Sequence, residues 1–556
     1  MPTASRTWNG RRCSPKPTVY LYFALLPLPL ASSAIAAPRS STRSKRAEWV
    51  IAGVLTGLCL LLPTRNSTVD AWYYAACVRH GHELFQPHHL LYNAAGWLWV
   101  RILPATVDAL AALKVLNAVA FGGCLLVLRD LLRRVGGAAA PVAGWLLVVG
   151  SSFGMLRFAT ENETYILPLL LSLLASRSWW QAVRKGGNQH WVAAGAWAAL
   201  AALFHQIHAG WWLALLVGTM AASPVGRWRK MSLYVLPALV VPLAYVAAMP
   251  SWKLAFTPVA FWHFVFHDLY AGHAGARPSG RTLLLTVINL IRTFGQMHGS
   301  TLALLRRWPA LGGFAVLSGG LMLLAIRKLW QSRRVDSTSS SAVTPSVLFA
   351  SSAASERLFW LTHLLVLLLQ LGCAVWAEGN AEFMVMLPAL LALLLVNRPE
   401  VSTALPWMGA SLLLWNLTFG LLPAYTLRLT NTTALLARIQ QEPAAWWLLA
   451  DPNLVLNQLH YITGEPIGPA KVLPAPALLV QRRGQSPARF RAWLATRRAA
   501  GQRIYTDALG GPNLLDRARL TQGGDDAQRQ LLAGYRLARV DSFPTSFGPV
   551  YLTEIR

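Results

Sequence analysis

The stretch HHLLYNAAGWLWVRILP, from His88 to Pro104, decides how the chain threads a membrane. It is apolar enough to be taken for a span, but a span here would place the arginine cluster that begins at Arg129 on the opposite side from the other basic clusters. Because the distribution of Lys and Arg sets orientation, we predict that this stretch lies in the membrane interface as an amphipathic helix. Trp97 and Trp99 then lie at the level of the lipid headgroups.

The composition is that of a polytopic membrane protein. Of 556 residues, 54% are hydrophobic and only 13% are charged, whereas soluble domains carry roughly 25% charged residues. The net charge of +28 comes from short basic clusters between apolar runs. That pattern is typical of topology determinants, so we do not expect nucleic acid as a partner. The five cysteines form no CxxC pair, and the sequence predicts neither a disulfide framework nor a zinc site.

Eleven apolar runs are predicted to span the bilayer, each near the required length of about 20 residues. They cover residues 48–63, 108–128, 138–156, 163–178, 191–205, 208–222, 231–249, 308–327, 357–376, 381–397 and 404–422. If the N-terminus lies inside, every basic cluster falls on the inner side, and this agreement supports the count. The clusters begin at Lys45, Arg129, Arg177, Arg227, Arg327 and Arg398.

The predicted fold class is therefore an all-α polytopic membrane protein of about eleven transmembrane helices with a small C-terminal extracytoplasmic α/β domain. Residues 1–47 resemble a secretory signal, with Ala34-Ile35-Ala36 like a cleavage site, but we favour a poorly ordered cytoplasmic extension, because cleavage would leave basic residues outside. Residues 48–422 form the transmembrane domain, and residues 423–556 form the outer domain. The predicted connections are outer loops at 64–107 and 250–307 and a Ser-rich cytoplasmic linker at 331–355.

Within the outer domain, local patterns predict alternating strands and helices. Ala477–Val480 is apolar and is predicted to be a strand, and Ser486-Pro487 is typical of a helix start. The helix ends at Gly501, and Arg503–Asp507 follows as a strand. Tyr535–Asp541 and Val550–Ile555 are predicted to close the domain as a hairpin.

Asp70 is the first candidate for chemistry, because it follows the first span directly and precedes Trp72, Tyr73 and Tyr74. A lone Asp at a membrane edge can simply cap a loop or solvate the end of a span. The aromatic residues, however, can exclude water from the carboxylate, which could then accept a proton from an attacking hydroxyl. A positioned base is worth roughly 10²–10⁴-fold in rate.

The turn RFATENETY supplies a second group, Arg157, Glu161 and Glu163, on the predicted outer side. One interpretation is a polar turn between two spans. The other is that it faces the same outer cavity as Asp70, where Arg157 could hold an anion and a glutamate could orient an acceptor or bind a metal. Carboxylates close to the hydrocarbon boundary are costly enough to suggest function.

Three further outer segments carry candidates. His205 and His208, spaced i, i+3, could share a metal, but we favour neutral hydrogen-bonding or phosphate-contacting histidines. Glu378 and Glu382 lie in the next outer turn and have a solvated turn as the alternative. Arg281, in the loop at 250–307, could clamp a phosphate or contact lipid headgroups.

In this order, these motifs resemble those of the GT-C fold integral-membrane glycosyltransferases, which use polyprenyl-phosphate sugars. Members similar to protein O-mannosyltransferases and aminoarabinose transferases have an early Asp or Asp-Glu, and then an "HPP-L"-like segment on an interfacial helix. The matching segments here are DAWYY from Asp70 and QPHHLLY from Gln86, the latter adding His88 and His89 as candidates. Two further motifs of the class are similar to parts of this chain. One is ATENETYILPLLL together with AALFHQIHAG, and the other is GNAEFMVMLPALLALL.

The resemblance covers roughly residues 48–422, mostly as architecture. It implies that a lipid-linked sugar enters from the outer leaflet, that Asp70 deprotonates the acceptor hydroxyl, and that an Arg or His stabilises the departing lipid phosphate, usually with inversion. It also implies a possible divalent cation, Mg or Mn, although many relatives need none. Two departures are Ala71 after Asp70, which removes a double-acid motif, and Pro87-His88 in place of Pro-Pro.

The implied setting is a bacterial inner or plasma membrane, with the active site on the extracytoplasmic face. The implied partners are the lipid bilayer, a polyprenyl-phosphate-linked sugar and a glycan, lipid or protein acceptor. Two alternatives stay open: a multi-pass transporter or flippase for a lipid-linked or anionic substrate, and a non-catalytic membrane scaffold. Interrupted spans with charges at the midplane would favour a transporter, whereas the charges here cluster at one face.

Overall fold

The structure is a computed structural model that describes residues 42–137, 140–222, 225–270, 279–297, 299–336, 347–377, 379–465, 471–483, 486–515 and 524–556. Most of the predicted N-terminal extension and the middle of the predicted linker at 331–355 lie outside these residues. The described chain is mostly helical and ends in a small five-stranded sheet.

The helices up to residue 248 form the first part of the apolar bundle. They are α1 Thr42–Leu61, α2 Val69–His80, α3 Tyr92–Ile102, α4 Ala109–Gly136, α5 Val142–Ser151, α6 Phe153–Ala159, α7 Ile166–Lys185, α8 Asn188–Phe204, α9 Ala209–Ala221, α10 Arg227–Val235 and α11 Val240–Ala248. Short 3₁₀ segments at Gln206–His208, Leu236–Leu239 and Met249–Trp252 continue or join them.

The next helices complete the bundle. They are α12 Pro258–Val265, α13 His267–Tyr270, α14 Gly280–Phe294, α15 Gly299–Arg307, α16 Leu311–Asp336, α17 Val347–Trp376, α18 Leu387–Leu395, α19 Pro399–Ser402, α20 Leu405–Asn416 and α21 Leu422–Thr426. A 3₁₀ turn at Ala381–Met384 precedes α18, and a π-helical turn at Leu417–Leu421 joins α20 to α21. The described part of the loop predicted at 250–307 therefore contains four α-helices.

All eleven predicted spans fall on helical segments, but the count of eleven is not confirmed. Among the described residues, five helices are long and apolar enough to cross a membrane, or six if a bent pair is one span. The five are Ala109–Gly136, Arg227–Trp252, Leu311–Ser332, Ala354–Trp376 and Leu405–Thr426. These helices, with the composition, support an integral membrane protein.

The bent pair is α5 and α6, predicted as one continuous span and found to turn by 65°. Ser152 has extended backbone angles at the bend, and this interrupts the helical hydrogen bonds. Asn416 compensates from α20, because its side-chain amide donates to the carbonyl of Ser151 at 2.7 Å. The bend directs α6, and with it Arg157, away from the axis of α5.

The ends of α1, α4 and α7 are joined by ion pairs at the end of the bundle predicted to be cytoplasmic. Glu48 is 1% exposed and accepts from Arg129 at 2.8 Å and from Arg133 at 2.5 Å. Asp130 accepts from Arg177 at 2.5 Å. Part of the basic cluster that sets the predicted topology therefore also stabilises helix packing, since a buried carboxylate needs such partners.

The C-terminal part alternates helices and strands around one mixed sheet. Its helices are α22 Thr432–Gln441, α23 Pro452–Thr463, α24 Pro476–Arg483, α25 Pro487–Ala499 and α26 Gly524–Leu531, and its strands are β1 Trp446–Leu449, β2 Val472–Pro474, β3 Ile504–Thr506, β4 Leu537–Phe543 and β5 Val550–Ile555. The strand order is β2-β1-β3-β5-β4. β1 is parallel to β2 and β3, whereas β5 is antiparallel to β3 and β4.

Several local predictions for this domain are confirmed. Ser486 accepts from the backbone of Arg489 at 3.2 Å and caps α25, and β3 and the β4–β5 hairpin lie where the patterns placed them. The strand predicted at Ala477–Val480 is wrong, because this segment belongs to α24. Pro476 occupies the first position of α24, where proline favours the start of a helix.

The sheet domain docks on the helical bundle through α23, which packs against α2. The side chain of Asn457 donates to the carbonyl of Val69 at 2.8 Å. Tyr461 contacts Trp72 edge-on at 5.2 Å between ring centroids, and its hydroxyl donates to Asp108. This docking places the C-terminal domain over the start of α2, where Asp70 lies.

Candidate functional site

Helix α2 presents Asp70 in its first turn. Thr68 is the N-cap, and its hydroxyl oxygen accepts from the backbone of Ala71 at 3.1 Å, which fixes where the helix begins. The same hydroxyl donates to Glu163 at 2.6 Å, while the Thr68 backbone N–H donates to Glu161 at 3.2 Å. The predicted polar turn therefore contacts the start of α2 directly.

Helix α4 binds both the loop before α2 and the turn that carries Glu161 and Glu163. Lys114, 7% exposed, donates to the carbonyl of Thr64 at 2.8 Å and to Ser67 at 2.7 Å, and it lies 3.9 Å from Glu161. Asn117 donates to the backbone carbonyls of Glu161 and Glu163, each at 2.7 Å. The loop before α2 and the carboxylate turn are thus fixed to the same helix.

Glu382 is the fourth carboxylate in this group, and it lies in the turn before α18. The hydroxyl of Tyr165 donates to it at 2.8 Å. The backbone N–H of Glu382 donates to Asn380, which fixes the turn. Gly379, with φ +73°, lies so close to α14 that a Cβ would be 2.5 Å from the backbone nitrogen of Thr286, so the tight packing of this turn requires glycine.

Asp70 itself is exposed, although protein atoms surround much of its carboxylate. Burial raises the pKa of Asp70 above its usual value, and the negative charge of Glu382 raises it further, while His88 acts in the opposite direction. Desolvation and a like charge both disfavour an anion. A carboxylate whose proton affinity is increased in this way and that is still accessible is suited to act as a base.

Three imidazoles adjoin the carboxylates. The ring of His88 lies 4.0 Å from that of His89 and 6.5 Å from that of His205. His89 is 1% exposed, and neither of its ring nitrogens has a hydrogen-bond partner within the described residues. Burial, together with the charges of His88 and His205, lowers the pKa of His89, which keeps that ring neutral. Tyr165 joins the two groups, because its ring is 5.1 Å from His205.

A cavity of about 630 Å³ lies beside this cluster, between the helical bundle and the C-terminal domain. The bundle contributes Thr68, Val69, Arg157 and Glu161 to its wall. The C-terminal domain contributes polar and aromatic residues that include Asp451, Asp507, Asn513 and Tyr551. Asp70 does not line the cavity, but Thr68 and Glu161 belong both to its wall and to the carboxylate cluster.

Arg157 lies close enough to Arg292 of α14 for their charges to interact. Neither has a carboxylate within 4 Å among the described residues. Burial and the charge of Arg157 lower the pKa of Arg292. Arg292 donates to the side chain of Asn289 at 2.8 Å, and Asn289 donates to the carbonyl of Gly379 at 2.6 Å. This pair of guanidinium groups is suited to bind an anion.

The remaining predicted residues lie apart from this cluster. His208 is buried, with Nδ1 at 2.7 Å from the hydroxyl of Ser172 and its ring stacked on Trp211. Arg281 lies in the first turn of α14 and is exposed. Glu378 lies outside the described residues. Within the part of the chain that the structure describes, no group of three His, Cys, Asp or Glu residues is arranged to hold a metal ion.

Sequence reasoning missed several residues that hold the cluster in place. Lys114 carries a signal that could have been used, because a single Lys in an apolar span is costly and marks a specific partner. Asn117, one turn later, and Tyr165 carry weaker signals. Asp268 contacts His88 at 2.8 Å, and nothing local in the sequence connects residues so far apart.

No protein-family model matches the sequence. The comparison with curated proteins also finds no match.

Solved structures that are similar to this chain include ArnT and an oligosaccharyltransferase. ArnT from Cupriavidus metallidurans, bound to undecaprenyl phosphate, has a TM-score of 0.45 and 13% identity over 92% of this chain and 98% of its own. The oligosaccharyltransferase of Archaeoglobus fulgidus in complex with Zn and sulfate has a TM-score of 0.48 and 13% identity, over 90% of this chain and 73% of its own.

A third structure is the oligosaccharyltransferase AglB from Archaeoglobus fulgidus, in complex with an inhibitory peptide and a dolichol-phosphate. It has a TM-score of 0.46 and 12% identity, over 92% of this chain and 74% of its own.

Proposed function

We propose that this chain is an integral-membrane glycosyltransferase that moves a sugar from a polyprenyl-phosphate carrier to an acceptor hydroxyl on the extracytoplasmic face. The observation that carries the proposal is the exposed Asp70 carboxylate, whose pKa is raised by burial and by the charge of Glu382, next to Thr68 on the wall of a cavity that Arg157 also lines. A base and an anion-binding group at neighbouring positions are what transfer from a phosphate leaving group requires.

In this mechanism Asp70 accepts the proton of the acceptor hydroxyl as its oxygen attacks the anomeric carbon. The bond from the anomeric carbon to the carrier phosphate breaks on the opposite side, and its electron pair leaves with the phosphate. The product therefore has inverted configuration. A single base suffices, because a phosphate departs without needing a proton. The raised pKa of Asp70 makes it a better proton acceptor while ionised.

Arg157 and Arg292 are proposed to bind the carrier phosphate. Their guanidinium groups repel each other, and an anion between them would relieve that repulsion and stabilise the charge that develops as the phosphate departs. The phosphate is then fixed near the bundle, and the polyprenyl chain can extend along the apolar helices into the bilayer.

The positions of the other groups follow from the same assignment. Glu161 and Glu163 contact Thr68, so we assign them to holding α2 in place, although an acceptor contact by Glu161 is compatible with its place on the cavity wall. The C-terminal domain, residues 423–556, is proposed to lie outside and to shape acceptor access, since it forms the far wall of the cavity. With the basic helix ends inside, the site faces the extracytoplasmic side of a bacterial inner or plasma membrane.

A transfer assay with the purified full-length chain in proteoliposomes tests the proposal. Radiolabelled polyprenyl-phosphate hexoses and pentoses are the donors, and a membrane glycolipid and protein extract is the acceptor mixture. Labelled product should form from at least one donor with the wild type and should be lost with Asp70→Asn. Movement of labelled donor across the bilayer without any transfer would instead favour the transporter alternative, and equal product from both chains would refute the role of Asp70.

A further inference from the structure

Gln296 lines the cavity beside the carboxylate cluster, and it has no role in the mechanism above. Its side chain is 7% exposed, and its amide oxygen has no hydrogen-bond partner among the described residues. Burying a polar atom without a hydrogen bond is costly. An uncharged amide of this kind in a cavity wall is therefore a group through which a ligand can be bound.

The main chain of Gln296 is fixed by contacts of its own. Its N–H donates to the side chain of Asn416 at 2.8 Å, and its carbonyl accepts from the indole of Trp415 at 2.8 Å. Asn416 also donates to the carbonyl of Ser151, at the bend between α5 and α6. The same side chain thus holds both the bend and Gln296, and the bend directs Arg157 to the wall of the same cavity.

The opposite wall of the cavity includes the carboxyl ends of the parallel strands β1 and β3. Helix α23 follows β1 and packs on one face of the sheet, whereas α25 precedes β3 and packs on the other face. Ligands of open α/β sheets bind in the crevice at such a switch point. Asp451 and Asp507 lie directly after the two strands and line the cavity. The backbone N–H of Ala450 donates to Asp507 at 2.8 Å, which fixes the crevice.

Tyr551 of β5 lines the cavity on the same side. Its ring is held from two directions. The guanidinium group of Arg539 lies 3.5 Å from the ring centroid, and a Cβ at Gly511 would be 2.9 Å from Cδ2 of the ring. Within the part of the chain that the structure describes, no hydrogen bond involves the Tyr551 hydroxyl, so this group is available to a ligand.

These groups are suited to a polyhydroxylated ligand. An amide and a tyrosine hydroxyl each donate and accept, and a carboxylate can accept from two hydroxyls at once. The cavity volume of about 630 Å³ lies within the range of about 300–1,000 Å³ that is typical of small-molecule sites. An acyl chain would leave these polar groups unpaired, and a single serine or threonine of a protein would supply only one hydroxyl for groups on both walls.

We propose that this cavity is the acceptor site and that its acceptor is a glycan, held between Gln296 and the crevice at β1 and β3. This inference rests on the proposed function and narrows the acceptor from a glycan, lipid or protein to a glycan. Thr68 and Val69, which precede Asp70, line the same cavity, so a hydroxyl of the bound sugar can reach the base. That hydroxyl gives its proton to Asp70 as its oxygen bonds to the anomeric carbon, and the carrier phosphate leaves with the electron pair.

Binding of soluble sugars to the full-length chain in detergent, without donor, tests the site directly. The probes are methyl glycosides of common hexoses, hexosamines and pentoses, and disaccharides built from them. Saturation-transfer difference NMR measures their affinity, and at least one should bind the wild type. Gln296→Leu and Tyr551→Phe should each weaken this binding by about 2- to 12-fold, the worth of a neutral hydrogen bond.

Gln458→Leu is the matched control. Gln458 is 6% exposed, its amide oxygen also has no partner among the described residues, and it is not one of the described residues that line the cavity. This variant should bind the sugars as the wild type does. Size-exclusion chromatography of each variant shows whether the chain has folded, so that a loss of affinity can be assigned to the site.

The transfer assay separates this inference from the proposed function. Gln296→Leu should raise the acceptor KM and leave kcat and donor binding nearly unchanged, as the loss of uniform binding does. If sugars bind and Gln296→Leu weakens them, but no donor supports transfer, the glycan site stands and the glycosyltransferase proposal fails.

Two results would overturn the inference. One is transfer to a product that contains no carbohydrate besides the transferred sugar, because the acceptor is then a lipid or a protein; the glycosyltransferase proposal would survive that result. The other is a failure of every probe to bind the wild type, or equal affinity in Gln296→Leu and the wild type.

Discussion

Replacing Lys114 with Met should loosen the segment that carries Asp70. The ammonium group of Lys114 is buried, and it donates to the carbonyl of Thr64 and to Ser67. It also lies 3.9 Å from Glu161, which is itself 2% exposed. Methionine preserves the apolar stem and removes the charge, so Glu161 is left as a buried anion without its cation.

The expected magnitude follows from these contacts. Removing one partner of a buried ion pair costs about 3–5 kcal/mol, because the other charge remains uncompensated. Glu161 keeps backbone donors from Thr68 and Asn162, at 3.2 and 3.1 Å, which places the expected cost towards about 3 kcal/mol. Since about 1.4 kcal/mol is a tenfold change in an equilibrium constant, local opening of the loop before α2 should increase by roughly 100-fold.

Hydrogen-exchange mass spectrometry on the purified chain in detergent measures this opening. Protection of peptides that cover residues 64–72 should fall in Lys114→Met and should largely return in Lys114→Met/Glu161→Gln, in which no buried charge is left unpaired. Peptides from the β4–β5 hairpin are the internal control. Unchanged protection at residues 64–72, or a double variant less protected than the single one, would refute this explanation of how Asp70 is positioned.

Three further outcomes are expected. Arg157→Ala and Arg292→Ala should each weaken donor binding by about 10- to 100-fold, the worth of a charged hydrogen bond; inhibition by inorganic phosphate measures the loss, and unaltered inhibition would exclude the phosphate role. Glu382→Gln removes a charge that raises the pKa of Asp70, so the acidic limb of the pH–rate profile should move to lower pH, whereas a shift to higher pH would contradict the stated electrostatics. Gly379→Ala should reduce the yield of folded chain in detergent, as measured by size-exclusion chromatography, because a Cβ has no room there; a normal yield would show that the turn adapts.

The sequence alone was enough to predict the segments from which the cluster is built, and the reason is local. Asp70 follows an apolar run with aromatic residues behind it, and Glu163 and Glu382 lie in polar turns between apolar runs. Such turns collect at the ends of a helical bundle, so a common neighbourhood could be expected. The partners of each carboxylate were not predictable, because side-chain pairing across distant segments leaves no local pattern.

Three differences have particular physical causes. His208 follows His205 by three residues, but the intervening 3₁₀ turn directs it into the core against Ser172 rather than towards the imidazoles. The continuous span predicted at 138–156 bends at Ser152, because a distant Asn416 satisfies the freed carbonyl. The apolar run around Ala477 is short, and a short apolar run is compatible with either a strand or a buried helix.

The central claim is that Asp70 is the base of the transfer reaction. Testing it requires both the affinity for the donor and the rate of transfer to be measured. Asp70→Asn should bind a labelled polyprenyl-phosphate sugar within about threefold of the wild type, because the carboxylate does not touch the phosphate in this mechanism. Its single-turnover transfer rate should be about 10²–10⁴-fold lower, the contribution of a positioned base. Transfer by Asp70→Asn at the wild-type rate, with donor bound normally, would contradict the account.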